Sequence, residues 1–127
     1  MISKKKLFLF EEKIEYKFKD LLILEQSLTH PSFYKETKKI NKNLNQFERF
    51  EFLGDRVLGL IIASLLFKKY QNNDEGDLSK KYSYLVQKNF LHKISLDLSI
   101  DKILLFNFKK ENNKMLVSIL SDSVESL

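Results

Sequence analysis

The sequence predicts an all-α domain, a helical bundle around one central apolar helix. Three observations carry this. One proline and three glycines in 127 residues enforce few breaks, which disfavours a many-turned β architecture. Apolar residues recur at helical spacing along most of the chain. With 43% hydrophobic and 31% charged residues, the chain has the size and composition of one globular domain with ample core material.

Taken in order, Leu7, Phe8, Phe10, Ile14 and Phe18 place a first helix over residues 5–15. Asp20 is suited to cap a second helix carrying Leu21, Leu22, Leu24 and Leu28. Pro31 pushes His30 away from helical dihedrals and marks the boundary. Without a second His or Cys nearby, His30 reads as a turn-stabilising or RNA-facing residue before a metal ligand. Residues 34–45, rich in Lys and Asn, read as an exposed loop, with Asn43 or Asn45 capping the central helix over 44–70. After the polar turn Gln71-Asn72-Asn73-Asp74-Glu75-Gly76-Asp77, Asp77 is expected to cap a helix over 78–87. A further helix over 88–96 carries Phe90, Leu91 and Ile94, with His92 on its surface. Ile100, Ile103, Leu104, Leu105 and Phe106 form a short buried segment of unassigned type. A polar loop over 109–114 leads into a last apolar helix over 115–127. That helix lacks the usual end signals, a Gly, an Asn or a basic last turn. The expectation is a single domain over 1–127, truncated in its last helix.

Bulk properties narrow the function. The absence of cysteine excludes disulfides and cysteine-based zinc sites and suits a reducing cytoplasm. The basic start Lys4-Lys5-Lys6 precedes an apolar run that Glu11 and Glu12 end at once, unlike a signal peptide. No apolar run approaches the roughly 20 residues a bilayer span needs. A soluble cytoplasmic protein is expected. The net charge of +5 is compatible with a nucleic-acid partner, but richness in Lys, Asn and Ile accounts for it equally well.

Chemistry enters with the carboxylates. Glu48, Glu51 and Asp55 stand at the head of the central apolar helix, at spacings that put them on one face. A helix apolar nearly all round is normally buried, and buried charge is costly unless paired or metal-bound. The last helix repeats the pattern with Asp122 and Glu125. Any one such pair is ordinarily a solvated helix face. Two pairs, each in an apolar helix, would converge if the helices pack together. Converged carboxylates resist joint ionisation unless cations intervene, and oxygen-only ligands suit hard divalent cations. Two such cations clamp the attacking and leaving oxygens of a phosphodiester. In a basic protein this points to a metal-dependent nuclease.

Glu48-Arg49-Phe50-Glu51-Phe52-Leu53-Gly54-Asp55 resembles the signature of ribonuclease III, the double-stranded-RNA endonuclease. Ser27-Leu28-Thr29-His30-Pro31-Ser32-Phe33 resembles the family's upstream motif and Asp74-Glu75-Gly76-Asp77-Leu78-Ser79 its acidic turn. The stretch Ser118-Ile119-Leu120-Ser121-Asp122-Ser123-Val124-Glu125-Ser126-Leu127 resembles its second acidic helix. Arg56-Val57-Leu58-Gly59-Leu60, after the signature, is similar to α-proteobacterial members. The resemblance covers essentially the whole chain.

It implies that Glu51, Asp55, Asp122 and Glu125 are Mg²⁺ ligands, with Mn²⁺ as a substitute, and that Asp55 and Glu125 are most tied to catalysis. Glu48 and Glu75 match supporting acidic positions, and Lys80, Lys81 and Lys88 are candidate RNA contacts. A homodimer with Phe52 inserted into a socket on the partner is implied. So is hydrolysis of double-stranded RNA by metal-activated water, in ribosomal and messenger RNA processing. Bacterial family members usually continue the second acidic helix and add a double-stranded-RNA-binding domain, so the expectation is either a fragment of a longer protein or a naturally curtailed form. The alternative function is a catalytically silent RNA-binding or scaffolding domain of the same fold; retention of all four implied ligands argues against it.

Overall fold

The computed structural model describes residues 1–34, 46–107 and 112–127, and within them the architecture is six α-helices. Helix α1 (Lys4–Ile14) starts where the Ser3 hydroxyl accepts from the Lys6 backbone N–H and ends on Glu15 in the left-handed conformation. Helix α2 (Leu21–Ser27) is capped by Asp20, as expected, its Oδ1 accepting from Leu22 N at 2.8 Å. A 3₁₀ turn over Pro31–Tyr34 follows.

Helix α3 (Phe47–Lys69) is the long central element. Its cap position is Gln46, whose side chain makes no capping bond; the expected caps Asn43 and Asn45 lie outside the described residues. Glu48 in its first turn and Lys68 and Lys69 in its last complement the helix dipole. Helix α4 (Glu75–Val86) corrects the expected boundary. Asp74, in an extended conformation, is the cap, and its Oδ1 accepts from Asp77 N at 2.9 Å. Gly76 looks like a breaker in sequence, but it sits inside the first turn, because the helix starts at Glu75 and not after Asp77.

Gln87, extended, serves as the end of α4 and the start of α5 (Lys88–Asp97). The segment left unassigned from sequence is a 3₁₀ turn over Ile100–Lys102 followed by an extended piece. That piece pairs with the end of α2: Leu105 N donates to Leu28 O at 2.9 Å and His30 N to Leu105 O at 2.8 Å. His30 is turn-stabilising: its Nδ1 lies 2.9 Å from Ser32 Oγ, and its ring meets Phe47 edge-on. Asn112 caps α6 (Asn113–Ser126).

The core gathers Leu7, Phe10, Leu24, Leu28, Phe47, Ile100, Ile119 and Leu120, with Ile2 closing it from the N-terminus. Helix α6 packs against both α3 and α5, which fixes the site described below. The α3–α6 approach is so close that a Cβ on Gly54 would fall on the Glu125 carbonyl oxygen. Only glycine permits that contact.

One expectation about α3 fails. The helix is not buried all round: only Phe47, Gly59 and Leu66 are buried along it. Phe52, Leu53, Val57, Leu60, Ile61, Leu65 and Phe67 are exposed, Leu60 to 70%. Helices α4 and α6 cover other sides and leave an apolar stripe without a partner in the single chain. Among the described residues, no helix is long and apolar enough to cross a membrane.

Candidate metal centre

The site is built where α3 and α6 touch. Glu51 stands on α3 one turn before Asp55, while Asp122 and Glu125 stand one turn apart on α6. Gly54, between the two α3 acids, lets the α6 backbone come in and brings the acids of both helices together. Glu51, Asp122 and Glu125 each present a ligand atom within 4.8 Å of the others, and all three side chains are half-buried. Asp55 borders this triad and does not join it. It shares a side-chain hydrogen bond with Glu125 and lies 3.4 Å from Arg56 Nη1 on its exposed side.

The electrostatics record a deficit of positive charge. Burial raises the Glu51 carboxyl to about 7, and Asp122, Glu48 and Asp55 add to the rise while Lys88 opposes it. Burial likewise raises Glu125 to about 7, reinforced by Asp55, Asp122 and Glu51. Asp122 is also raised, by burial first; Lys88 and a hydrogen bond from Ser118 hold it down. Carboxylates packed this way near neutral pH share protons or take up a cation. Their oxygen-only donor set fits Mg²⁺ or Mn²⁺ and is poor for soft metals.

The other candidates fall in different places. Glu48, exposed in the first turn of α3, is close enough to raise Glu51 and is therefore beside the cluster. Glu75 is not. Helix α3 alone sets about 27 Å between Glu51 and its own C-terminus, and Glu75 lies beyond that end, accepting from Ser79 Oγ at 2.7 Å. Lys80 and Lys81 are also on α4, away from the acids, with Lys81 Nζ 4.6 Å from the Tyr70 ring centre. Lys88 is at the cluster: its Nζ donates to Ser118 Oγ at 2.9 Å, and its charge reaches both Glu51 and Asp122. Phe52 is 61% exposed with the Arg56 guanidinium stacked 3.7 Å over its ring. Phe52 also borders a cleft of about 500 Å³ with Gln46, Glu48, Arg49, Phe50 and Leu53.

Two contributors do not stand out in the sequence. Ser118 is one, although its place one turn before Asp122 on the same face of α6 is a usable signal. Gly54 is the other, and its need for close helix approach shows only once the helices are packed.

Comparison with known proteins places the chain in a family. The Ribonuclease-III-like family profile matches residues 20–127. Ribonuclease 3 of Clostridium tetani is 40% identical over 119 residues, covering 92% of this chain and 49% of that protein. Ribonuclease 3 of Campylobacter jejuni is 41% identical over 119 residues, covering 92% and 50%. The chain thus spans about half the length of the curated relatives it matches. The crystal structure of the nuclease domain of ribonuclease III from Campylobacter jejuni is 39% identical, with a TM-score of 0.76 over 99% of this chain and 80% of that one. A second structure of that nuclease domain, concerned with flexibility in a region involved in dimer formation, gives a TM-score of 0.75 over 92% and 78%. On sequence and fold together, this chain belongs to the Ribonuclease-III-like family.

Proposed function

We propose that this chain is the nuclease domain of a Mg²⁺-dependent endoribonuclease that hydrolyses phosphodiester bonds of double-stranded RNA in the cytoplasm, serving ribosomal and messenger RNA processing. The observation that carries the reading is the convergence of Glu51, Asp122 and Glu125, from two helices, within 4.8 Å. In this reading those three would hold the cation, and Asp55, the fourth ligand that the resemblance implies, stands beside them against Glu125. A bound divalent cation supplies an activated water and neutralises charge on the phosphate. Glu51 and Glu125, raised to about 7, would release protons on holding it, and Asp55, hydrogen-bonded to Glu125, would orient that carboxylate. A-form RNA is recognised through shape, phosphates and 2′-hydroxyls.

The bare stripe on α3 is assigned to a second copy of the chain. Contiguous apolar exposure from Phe52 to Phe67 is larger than the scattered kind ordinary on monomers. Phe52 with the cleft beside it is the self-complementary element, each Phe52 entering the other copy's cleft. A related nuclease domain is described with a dimer-forming region, in keeping with this.

The test is incubation of a long RNA duplex with the purified chain in Mg²⁺ and in EDTA, with the oligomeric state read by light scattering. Cleavage is expected in Mg²⁺ alone, lost in Glu125→Gln, and the mass is expected to fall to the monomer in Leu60→Glu. Binding without cleavage by a confirmed dimer at saturating Mg²⁺ would overturn the enzymatic reading in favour of a silent RNA-binding scaffold.

A further inference from the structure

Ser118 differs from the buried helical serines of this chain. Ser27, Ser95 and Ser123 are buried and donate to the backbone carbonyl three residues earlier, Leu24 O, His92 O and Leu120 O, at 2.8, 2.6 and 2.6 Å. This is the ordinary resting place of a helical hydroxyl. Ser118 pairs with side chains: Lys88 Nζ at 2.9 Å, thirty residues away on α5, and the carboxylate of Asp122 one turn along α6.

The donor arithmetic gives these contacts a direction. An ammonium only donates, so Ser118 Oγ accepts from Lys88 through a lone pair. A hydroxyl has one proton of its own, and an ionised carboxylate only accepts, so that proton points to Asp122. The chain runs in series from α5 to α6: ammonium, hydroxyl, carboxylate. No ion pair within 4.0 Å joins Lys88 directly to Glu51 or Asp122 among the described residues, so Ser118 is the connection.

We propose that Lys88 and Ser118 are positioning residues for the metal centre, Lys88 fixing the Ser118 hydroxyl and the hydroxyl fixing the orientation of the Asp122 carboxylate. The proposal rests on reading the cluster as a metal site. It assigns Lys88 a role other than a general RNA contact: its ammonium is tethered at the acidic cluster, while Lys80 and Lys81 lie elsewhere on α4. Partners that orient a metal ligand from behind typically contribute 10- to 100-fold to metal affinity.

The experiment is Mn²⁺ binding to the full chain, read by the loss of free-ion EPR signal without RNA, with thermal unfolding in EDTA as a control. Ser118→Ala and Lys88→Met are each expected to weaken Mn²⁺ binding about 10-fold. Lys88→Arg, which keeps a donor, is expected to stay within about 3-fold of the parent, and unfolding in EDTA to move little in all three. Because the contacts act in series, the double variant should bind no worse than Ser118→Ala alone. Tighter binding in Lys88→Met would overturn the proposal, since it would make the ammonium a mere competitor of the cation. Unchanged affinity in either single variant, or additive losses in the double, would overturn it too. Absence of Mn²⁺ binding by the parent chain would instead sink the metal-site reading and this one with it.

Discussion

Two acidic regions of this molecule look alike in sequence and behave differently in the fold. Asp74, Glu75 and Asp77 crowd the start of α4, where all three are exposed to water. Asp74 caps the helix and Glu75 accepts from Ser79, so each of these two has a local task. Glu51, Asp122 and Glu125 come from helices far apart in the chain, with 71 residues from Glu51 to Asp122, and are drawn together by packing; Glu51 and Glu125 are raised to about 7. Acid density therefore does not make a site. Desolvation by a helix packed across the acids does, because it withdraws water from charges that cannot then be ionised together.

The largest expected effect separates the regions by function. Glu51→Gln removes one of three converging oxygens and is expected to lower RNA cleavage at saturating Mg²⁺ by at least about 100-fold, while Asp77→Asn changes it less than about 2-fold. Comparable losses from both substitutions, in single-turnover cleavage of a defined duplex, would erase the contrast. Next comes Gly54→Ala. A methyl there meets the Glu125 backbone, and neither helix can yield without moving the core, so about 3 kcal/mol of stability should be lost in urea unfolding. Mn²⁺ affinity should fall with it, since the same contact brings the two helices' acids together. At the acidic turn, Gly76 meets only Asp74 Oδ1 at 3.4 Å, and Gly76→Ala should cost little or even stabilise.

Much of this architecture is legible in the amino-acid sequence. Helix spacing locates α1, α2, α5 and α6 to within a residue or two, because α1, α2 and α6 each bury a stripe in one core and α5 buries its own against α6. Asp20 announces its cap, but Asp77 misleads, because a glycine one residue before it looks like a break while the chain already turns there. The acids Glu51, Asp122 and Glu125 can be named from their pattern. Their unequal standing with Asp55, which borders the triad and is held by Arg56 and Glu125, cannot, because it depends on how α6 lies across α3. Nor can the bare face of α3. An all-apolar helix reads as buried, and composition does not distinguish burial in a core from burial against another copy.

A smaller effect follows from pH in the metal-free protein. Glu51 and Glu125 have folded-state values near 7, above their ordinary range, so the fold prefers them protonated. Their contribution is fully present below the unfolded value, near 4.5, and is lost as pH rises through about 7. In EDTA, Tm should fall by a few degrees between pH 6 and pH 8, muted by the solvent that still reaches these groups. Mg²⁺ should restore it more at pH 8 than at pH 6, where protons compete. Glu51→Gln should flatten the fall; an unaltered profile would mean the cluster is not its source.

The smallest effect tests the other side of the comparison. Asp74 Oδ1 accepts one otherwise unpaired N–H at the start of α4, from Asp77. Losing that bond in Asp74→Ala should cost about 1 kcal/mol in urea unfolding, the usual scale for an N-cap. Asp74→Asn keeps an acceptor oxygen in place and surrenders only the charge, which in water near a helix terminus contributes a few tenths of a kcal/mol to about 1. The alanine variant should therefore be the less stable of the two, and both should bind Mn²⁺ as the parent does. If Asn proved as costly as Ala, the charge at Asp74 would matter more than its bond. If either variant weakened Mn²⁺, the acidic turn would have to reach the metal centre by a route other than this chain's own α3, whose length holds the two apart.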